Sequence, residues 1–280
     1  MVPDLKHISI EDLLAIPFDV VARSIADFIE KYFNDSGAKK AIIGLSGGLD
    51  SSVTLRLLVD AVGSDRVIGV IMPDTRVTPT EDVDDAVELS RDLGVEYMII
   101  PIDDVVDSYR VIPGFDVNEK LSTGNLRARI RMNILYYLAN KLNGVVIGTG
   151  DRSEILLGYF TKYGDGGVDV LPIACLYKTQ VREMGRYLGL PARITSKPSS
   201  PRLWRDHLAE EELGLSYNMV DLVFYSLIDK GLSMEEAVDA TGLPFNVFEK
   251  VLTLHRRSRH KRRLPPIPSL PWLPQPIREI

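Results

Sequence analysis

Residues 44–51 read Gly44-Leu45-Ser46-Gly47-Gly48-Leu49-Asp50-Ser51, and their setting decides the fold. The apolar run Ala41-Ile42-Ile43 precedes them, and Ser52-Val53-Thr54-Leu55-Arg56-Leu57-Leu58 follows with the look of a helix start. A short buried strand therefore enters a tight turn and leaves as a helix. Gly47 and Gly48 let the backbone turn sharply and leave its N–H groups uncovered by side chains. Those donors and the positive end of the helix converge on one spot, which suits a polyphosphate. Ser46, Ser51 and Ser52 add hydroxyls, and Asp50 sets a carboxylate where a phosphate-bound Mg²⁺ would sit. No Lys follows the glycines, so this is neither G-x-x-x-x-G-K-[ST] nor G-x-G-x-x-G. A glycine-rich turn without a ligand is the plain alternative. The agreement of strand, glycines, serines, aspartate and helix outweighs it.

Working outward, residues 18–33 carry helical apolar spacing. Further strands are expected at about 67–72, 97–100 and 145–149. Between them, Thr78 as N-cap, Pro79 at the first helical position and Glu81 open a helix to about Leu93. A long helix spans 118–142. Strands alternating with helices predict an α/β fold, a doubly wound, mainly parallel sheet flanked by helices. Such sheets bind ligands beyond the carboxyl ends of their strands, where Ser46, Met72 and Thr149 fall. After residue 190 the pattern becomes helical, at 216–230, 233–241 and 245–259. We read residues 1–280 as one domain. Its nucleotide-binding core covers about 18–190, and a C-terminal helical extension with a proline-rich tail from Leu264 covers about 191–280.

With 280 residues, 45% of them hydrophobic, the chain can bury a sizeable core. A net charge of -6 argues against wholesale nucleic-acid binding. One cysteine, Cys175, excludes an internal disulfide and any multi-cysteine zinc site, and it fits a cytoplasmic location. The first residues, MVPDLKHISIEDLL, carry no basic segment followed by a long apolar stretch, so no signal peptide is expected. No apolar run reaches the roughly 18 residues of a membrane span, and no membrane partner is expected.

Residues 148–180 form a second dense segment, GTGDRSEILLGYFTKYGDGGVDVLPIACLYKTQ, beginning at the end of the fourth expected strand. Glu154 is a candidate Mg²⁺ ligand alongside Asp50. Thr149 offers a hydroxyl to a nucleotide. Lys162 and Lys178 offer positive charge as a phosphate group departs. Tyr163 to Gly167 reads as a mobile glycine-hinged loop carrying Asp165 as a base. Any one of these lysines alone would pass for a solvated surface charge.

SGGLDS resembles the pyrophosphate loop of the N-type ATP pyrophosphatases, which cleave ATP between its α and β phosphates and adenylate an acceptor. GYFTKYGDGG with LYKTQVR, and HKRRLPP downstream, are similar to the NAD synthetase family, roughly from Ala41 to Pro266. The resemblance implies a Rossmann-like fold of the adenine nucleotide alpha hydrolase type. It implies that the nicotinate carboxylate of deamido-NAD attacks the α-phosphate of ATP, and that ammonia then displaces AMP to leave NAD. It places Gly44, Leu45, Ser46, Gly47, Gly48, Leu49, Asp50 and Ser51 around ATP, joined by Thr149, Lys178 and Ser200. Asp50 and Glu154 would hold Mg²⁺. Asn125, Arg129, Lys162, Asp169, His260 and Lys261 would meet deamido-NAD. Asp165 would take a proton from the incoming ammonia or ammonium, and Lys178 would act in catalysis. A homodimer sharing the dinucleotide site across its two-fold axis is implied. KPSSPRLW departs from the family's KPP-[ST]-A-x-LW at Ser199 and Pro201, around Ser200. Cys175 stands where relatives often carry Asp, and a small buried thiol without chemistry is expected there.

The remaining charges have plainer readings. Arg127, Arg129 and Arg131, two residues apart on one helix, cannot share a face, and surface positions are expected for most of them. The basic run from Arg256 to Arg263 is explained by an anionic dinucleotide, so no nucleic-acid partner is expected. Trp204 and Trp272 are expected in the core or at an interface, and His7, His207 and His255 in surface or structural roles. The chain has no space before its first strand for a glutamine-hydrolysing domain, so direct use of ammonia is expected. Two other readings remain at this stage. One is an adenylating enzyme with a different acceptor, including a tRNA-modifying one; the other is a non-catalytic ATP-sensing module.

Overall fold

A computed structural model of the chain describes residues 7–268 and Trp272. Four parallel strands form one sheet: β1 (Lys40–Gly44), β2 (Val67–Ile71), β3 (Glu96–Ile99) and β4 (Gly144–Ile147). Their order is β3-β2-β1-β4, with Ala41 opposite Val67, Lys40 opposite Gly144 and Ile68 opposite Glu96. The helices in chain order are α1 (Ile10–Leu14), α2 (Phe18–Ser36), α3 (Leu49–Val62), α4 (Thr80–Asp92), α5 (Asp103–Ser108) and α6 (Lys120–Leu142). After β4 come α7 (Arg152–Leu157), α8 (Lys178–Tyr187), α9 (Ala192–Thr195), α10 (Ala209–Leu213), α11 (Tyr217–Phe224), α12 (Met234–Thr241) and α13 (Phe245–Arg257). The expected α/β class and parallel sheet are present.

Side chains alternate across a strand with a period of two, and β1 uses both faces. Ala41 and Ile43 pack with Ile25, Ile29, Leu55 and Val181 on one side. Ile42 packs with Ile68, Val70, Ile130 and Leu138 on the other. Both faces of β1 are therefore apolar, as expected of a strand covered by helices on each side. The chain leaves β1 towards β2 on one flank and later returns as β4 on the other. The carboxyl end of β1 is thus a topological switch point, the usual ligand crevice of such sheets. The glycine-rich turn sits there.

The C-terminal helices have an apolar core of their own, built from Val220, Val223, Phe224, Phe248 and Val251 with Leu13, Leu157 and Tyr177. The extension thus packs on α1, on the end of α7 and on the start of α8. The helix expected over 216–230 is α11 continued by a π-helical turn, Tyr225–Asp229. α4 begins at Thr80 behind Pro79, while Thr78 accepts the Asp74 N–H at 3.2 Å, so the threonine closes the preceding turn. No helix among the described residues is long and apolar enough to cross a membrane.

Candidate active site

The turn after β1 is held by its own serines. Gly48 donates its N–H to Ser46 Oγ at 3.3 Å, Ser51 Oγ donates to the Gly48 carbonyl at 3.1 Å and Ser52 Oγ to the same carbonyl at 2.8 Å. Gly47 adopts φ +69, and a Cβ there would lie 1.9 Å from the Asp82 carbonyl oxygen, so only glycine fits. Gly48 is the N-cap of α3, and the first-turn N–H groups of α3 have no intrahelical partner. Leu49, Asp50 and Ser51 of that turn line a cavity of about 370 Å³.

Gly44, Leu45, Ser46, Gly48, Thr149, Glu154, Asp165, Ser200, Asn125 and Lys261 line the same cavity. Segments far apart in the chain therefore converge on the carboxyl end of β1. Gly47 lies behind the lining, against α4. Arg129, Lys162, Asp169 and His260 lie outside it. Arg129 is exposed and donates to the Lys162 carbonyl at 3.3 Å, and the Lys162 ammonium lies over the Tyr163 ring at 5.1 Å. The Asp169 carboxylate accepts from Val146 N at 2.8 Å and Tyr136 Oη at 3.0 Å, which fixes the segment beside β4. His260 is exposed on the turn Arg259–Lys261, while Lys261 turns inward and donates to the Gly158 carbonyl at 2.7 Å.

Lys178 does not point into open cavity space. It is 1% exposed and sits 2.7 Å from Asp50, 2.7 Å from Asp151 and 2.8 Å from Glu154, with the Tyr217 ring 5.1 Å away. Burial lowers its pKa, but the three carboxylates outweigh burial and hold it well above the ordinary lysine value. Burial and mutual repulsion push Glu154 well above the usual carboxylate range, and burial raises Asp151. One ammonium against three carboxylates leaves the cluster short of positive charge, and such a buried set is costly without a further cation. Carboxylate oxygens of Asp50, Asp151 and Glu154 lie within 4.8 Å of one another, and Asp50 Oδ1 is buried with no hydrogen-bond donor. All-oxygen donors suit a hard cation such as Mg²⁺. Sequence reading named Asp50 and Glu154 but missed Asp151, whose side chain caps α7 by accepting Glu154 N at 2.8 Å. The Asp-x-x-Glu spacing at a strand end was the available signal.

The glycine-rich turn at 163–167 is internally hydrogen-bonded. Gly164 N donates to the Thr161 carbonyl, and Gly167 N to the Gly164 carbonyl, each at 2.9 Å. Asp165 Oδ1 accepts Thr161 N at 2.9 Å; the residue is exposed at the cavity, and desolvation there shifts its carboxyl pKa upward.

Other side chains at the cavity were read differently in the sequence. Arg127, expected at the surface, is buried: it donates to Asp74 at 2.6 Å and to the Leu203 carbonyl at 2.9 Å. Arg131 lines the cavity, donates to the Met72 carbonyl at 3.0 Å and has its pKa lowered by burial to about 10. The two-residue spacing misled because the 198–204 segment covers α6 beside its sheet-facing side and buries Arg127, while Arg129 stays on the exposed face. His207 is buried on the cavity wall, with its ring stacked 3.3 Å from the Trp204 centroid. Its Nε2 meets Tyr159 Oη at 3.1 Å and Glu212 at 2.7 Å. Lys197 ties the loop to α4, donating to the Gly47 carbonyl and Asp82 at 2.8 Å and to Asp85 at 2.7 Å. Cys175 is exposed, correcting the expected buried thiol. Trp272 is 77% exposed, so it is not part of this chain's core.

The loop, the acidic cluster and the lysine together suit transfer at a nucleotide phosphate. The NAD synthase family model matches residues 21–265. This chain belongs to the NAD synthase family. The NH(3)-dependent NAD(+) synthetase of Staphylothermus marinus is 58% identical over 98% of this chain and 99% of its own length. The NMN synthetase of Francisella tularensis is 31% identical, with a TM-score of 0.81 covering 91% of this chain and 100% of that one. The glutamine-dependent NAD+ synthetase of Acinetobacter baumannii is also 31% identical, with a TM-score of 0.61, and 91% of this chain covers only 48% of it.

Proposed function

We propose that this NAD synthase family member is an ammonia-dependent ligase that converts deamido-NAD to NAD at the expense of ATP, releasing AMP and pyrophosphate. The observation that carries the reading is the buried Lys178 held by Asp50, Asp151 and Glu154 beside the loop that opens α3. A carboxylate is a poor acyl donor to ammonia until its oxygen becomes a good leaving group, and adenylation supplies one. Loop N–H groups from Gly48 to Ser51 hold the β and γ phosphates, with Thr149 and Ser200 on the nucleotide. Asp50, Asp151 and Glu154 would hold Mg²⁺, which when bound neutralises charge on the departing pyrophosphate. Lys178 supplies a fixed positive charge at the same place, with no reorganisation during the reaction.

Asn125 and Lys261 face the cavity where the nicotinate end of deamido-NAD would lie. Arg129, Lys162, Asp169 and His260 would meet the remainder of the dinucleotide outside that cavity. A homodimer fits their exposure, as do the exposed apolar side chains Val20, Phe28 and Tyr137 on α2 and α6. Asp165, made a stronger base than an ordinary aspartate by desolvation, serves as the base for the incoming nitrogen nucleophile. The near end-to-end match to an NH(3)-dependent relative supports ammonia as the nitrogen source. A cytoplasmic setting is part of the reading, supported by an exposed thiol with no second cysteine to pair with.

The test mixes protein, ATP, Mg²⁺, deamido-NAD and ammonium and follows NAD, AMP and pyrophosphate together. Equal yields of all three, dependent on ammonium and not supported by glutamine, are expected. Pyrophosphate release without NAD would overturn the acceptor, and no ATP cleavage would overturn the catalytic reading. The match to an NMN synthetase supports nicotinate mononucleotide as a second acceptor to be measured in parallel. A higher kcat/KM for deamido-NAD is expected, and the reverse order would reassign the substrate.

A further inference from the structure

Lys178 and its three carboxylates are assembled from the starts of three helices, with Asp50 supplied by the first turn of α3. α7 supplies Glu154, with Asp151 as its N-cap, and α8 begins with Lys178. Between them lies Asp221 of α11, with 0% exposure. Ser153 Oγ donates to Asp221 Oδ1. Thr179 donates to Oδ2 twice, from its N–H at 2.9 Å and its hydroxyl at 2.8 Å. Ser153 Oγ in turn accepts Lys178 N at 2.9 Å. The residues bonded to Asp221 are the immediate neighbours of Glu154 and Lys178.

We infer that Asp221 is a positioning residue, setting Lys178 and Glu154 in register by joining the starts of α7 and α8. The inference rests on the reading that Lys178 and the three carboxylates act on the ATP phosphates. A buried carboxylate is an expensive way to pack a helix, and an apolar side chain would fill the same volume without that cost. Burial raises the Asp221 pKa to about 7 against the three donors that lower it, in the direction that cost requires. The carboxylate adds a rigid bracket, because moving either helix breaks a bond to the same side chain. A second aspartate repeats the arrangement. Asp229 accepts from Arg152 at 2.6 Å and Tyr177 Oη at 2.7 Å, the residues just before Ser153 and Lys178. The C-terminal extension thus holds both helix starts from behind and takes no part in the cavity lining at these positions.

The test compares Asp221→Asn, Thr179→Val, Thr179→Ser and, as a reference, Glu154→Ala. The asparagine keeps the volume of Asp221 but cannot accept on both arms. Thermal melts establish folding, steady-state kinetics give kcat and the KM for deamido-NAD, and calorimetry gives the Kd of Mg·ATP without the second substrate. For Asp221→Asn we expect a kcat about 10–100-fold lower and an Mg·ATP Kd weakened about 10-fold, as for other supporting partners of metal ligands. The KM for deamido-NAD should move less than about twofold by the same argument. Thr179→Val should show a smaller loss in the same two quantities, and Thr179→Ser, which keeps the hydroxyl, should restore them. If Asp221→Asn does not fold, the Thr179 pair decides. Unchanged kcat and Mg·ATP affinity in the folded variants, with Glu154→Ala impaired, would overturn the inference alone. An unimpaired Glu154→Ala would overturn the underlying reading and the inference with it.

Discussion

Arg127 Nε donates to Asp74 Oδ2 at 2.6 Å, with 3% and 0% of the two side chains exposed. Arg76 takes the other carboxylate oxygen at 2.7 Å, and burial notwithstanding, the two arginines hold Asp74 below the usual carboxylate range. The pair fastens α6 to the turn after β2, and through the Leu203 carbonyl to the segment over the cavity. Arg127→Ala should therefore destabilise the fold by about 3 kcal/mol, because it strips one partner from a buried pair. Arg127→Lys should recover little, since an ammonium cannot span Asp74 and the Leu203 and Val117 carbonyls with the geometry of a guanidinium. Urea unfolding monitored by circular dichroism measures both, and a loss below about 1 kcal/mol for Arg127→Ala would contradict the account.

Gly47→Ala should abolish ATP cleavage and lower the melting temperature. The added methyl would meet the Asp82 carbonyl, and the left-handed φ itself costs about 1 kcal/mol for an alanine. Relief of the clash requires the loop or α4 to move, and the Lys197 bonds to Gly47, Asp82 and Asp85 oppose that. Full pyrophosphate release by the alanine variant would show that the loop tolerates the displacement.

Asp151→Asn should lower the rate of pyrophosphate release by at least about 100-fold, in the range found for single preorganised charge-stabilising groups. Chelation of divalent cations should stop the parent enzyme, and added Mg²⁺ should restore it. Equal rates for parent and Asp151→Asn, with the fold verified by circular dichroism, would remove Asp151 from the site.

The pH dependence of stability has a definite sign at His207. Burial depresses its pKa below the ordinary value of 6.5, against the raising effect of Glu212. The stabilisation it contributes is present above pH 6.5 and is lost as the pH falls below that value, because the unfolded state takes up the proton more readily. His207→Gln should flatten the decline of melting temperature between about pH 7 and 5. Identical slopes for parent and variant would contradict the sign.

Local features were legible in the sequence, and features made by distant packing were not. The loop at 44–51 could be read because the strand, turn and helix that form it are contiguous. The four strands were each found within a few residues, since apolar runs covered on both faces need no partner to be recognised. Asp50 and Glu154 followed from the chemistry of a phosphate site. Asp221 and Lys197 could not be read, because their roles depend on bonds to residues 42 and 150 positions away, at Thr179 and Gly47. Arg127 was misread for a related reason: helical spacing shows which faces a helix has, but not how many of them the fold covers.

The bond from Lys178 to Asp50 spans 128 residues, so the charged cluster joins parts of the chain far apart in sequence. The segment through α6 contributes β1, the glycine turn and the first turn of α3. It has none of Asp151, Glu154 and Lys178, and the aspartate that brackets their helices arrives later still, at residue 221. Contacts of such long separation form slowly, after the local ones. The phosphate-cradling turn is therefore local in sequence, while the charged cluster beside it exists only once distant parts of the chain are packed together.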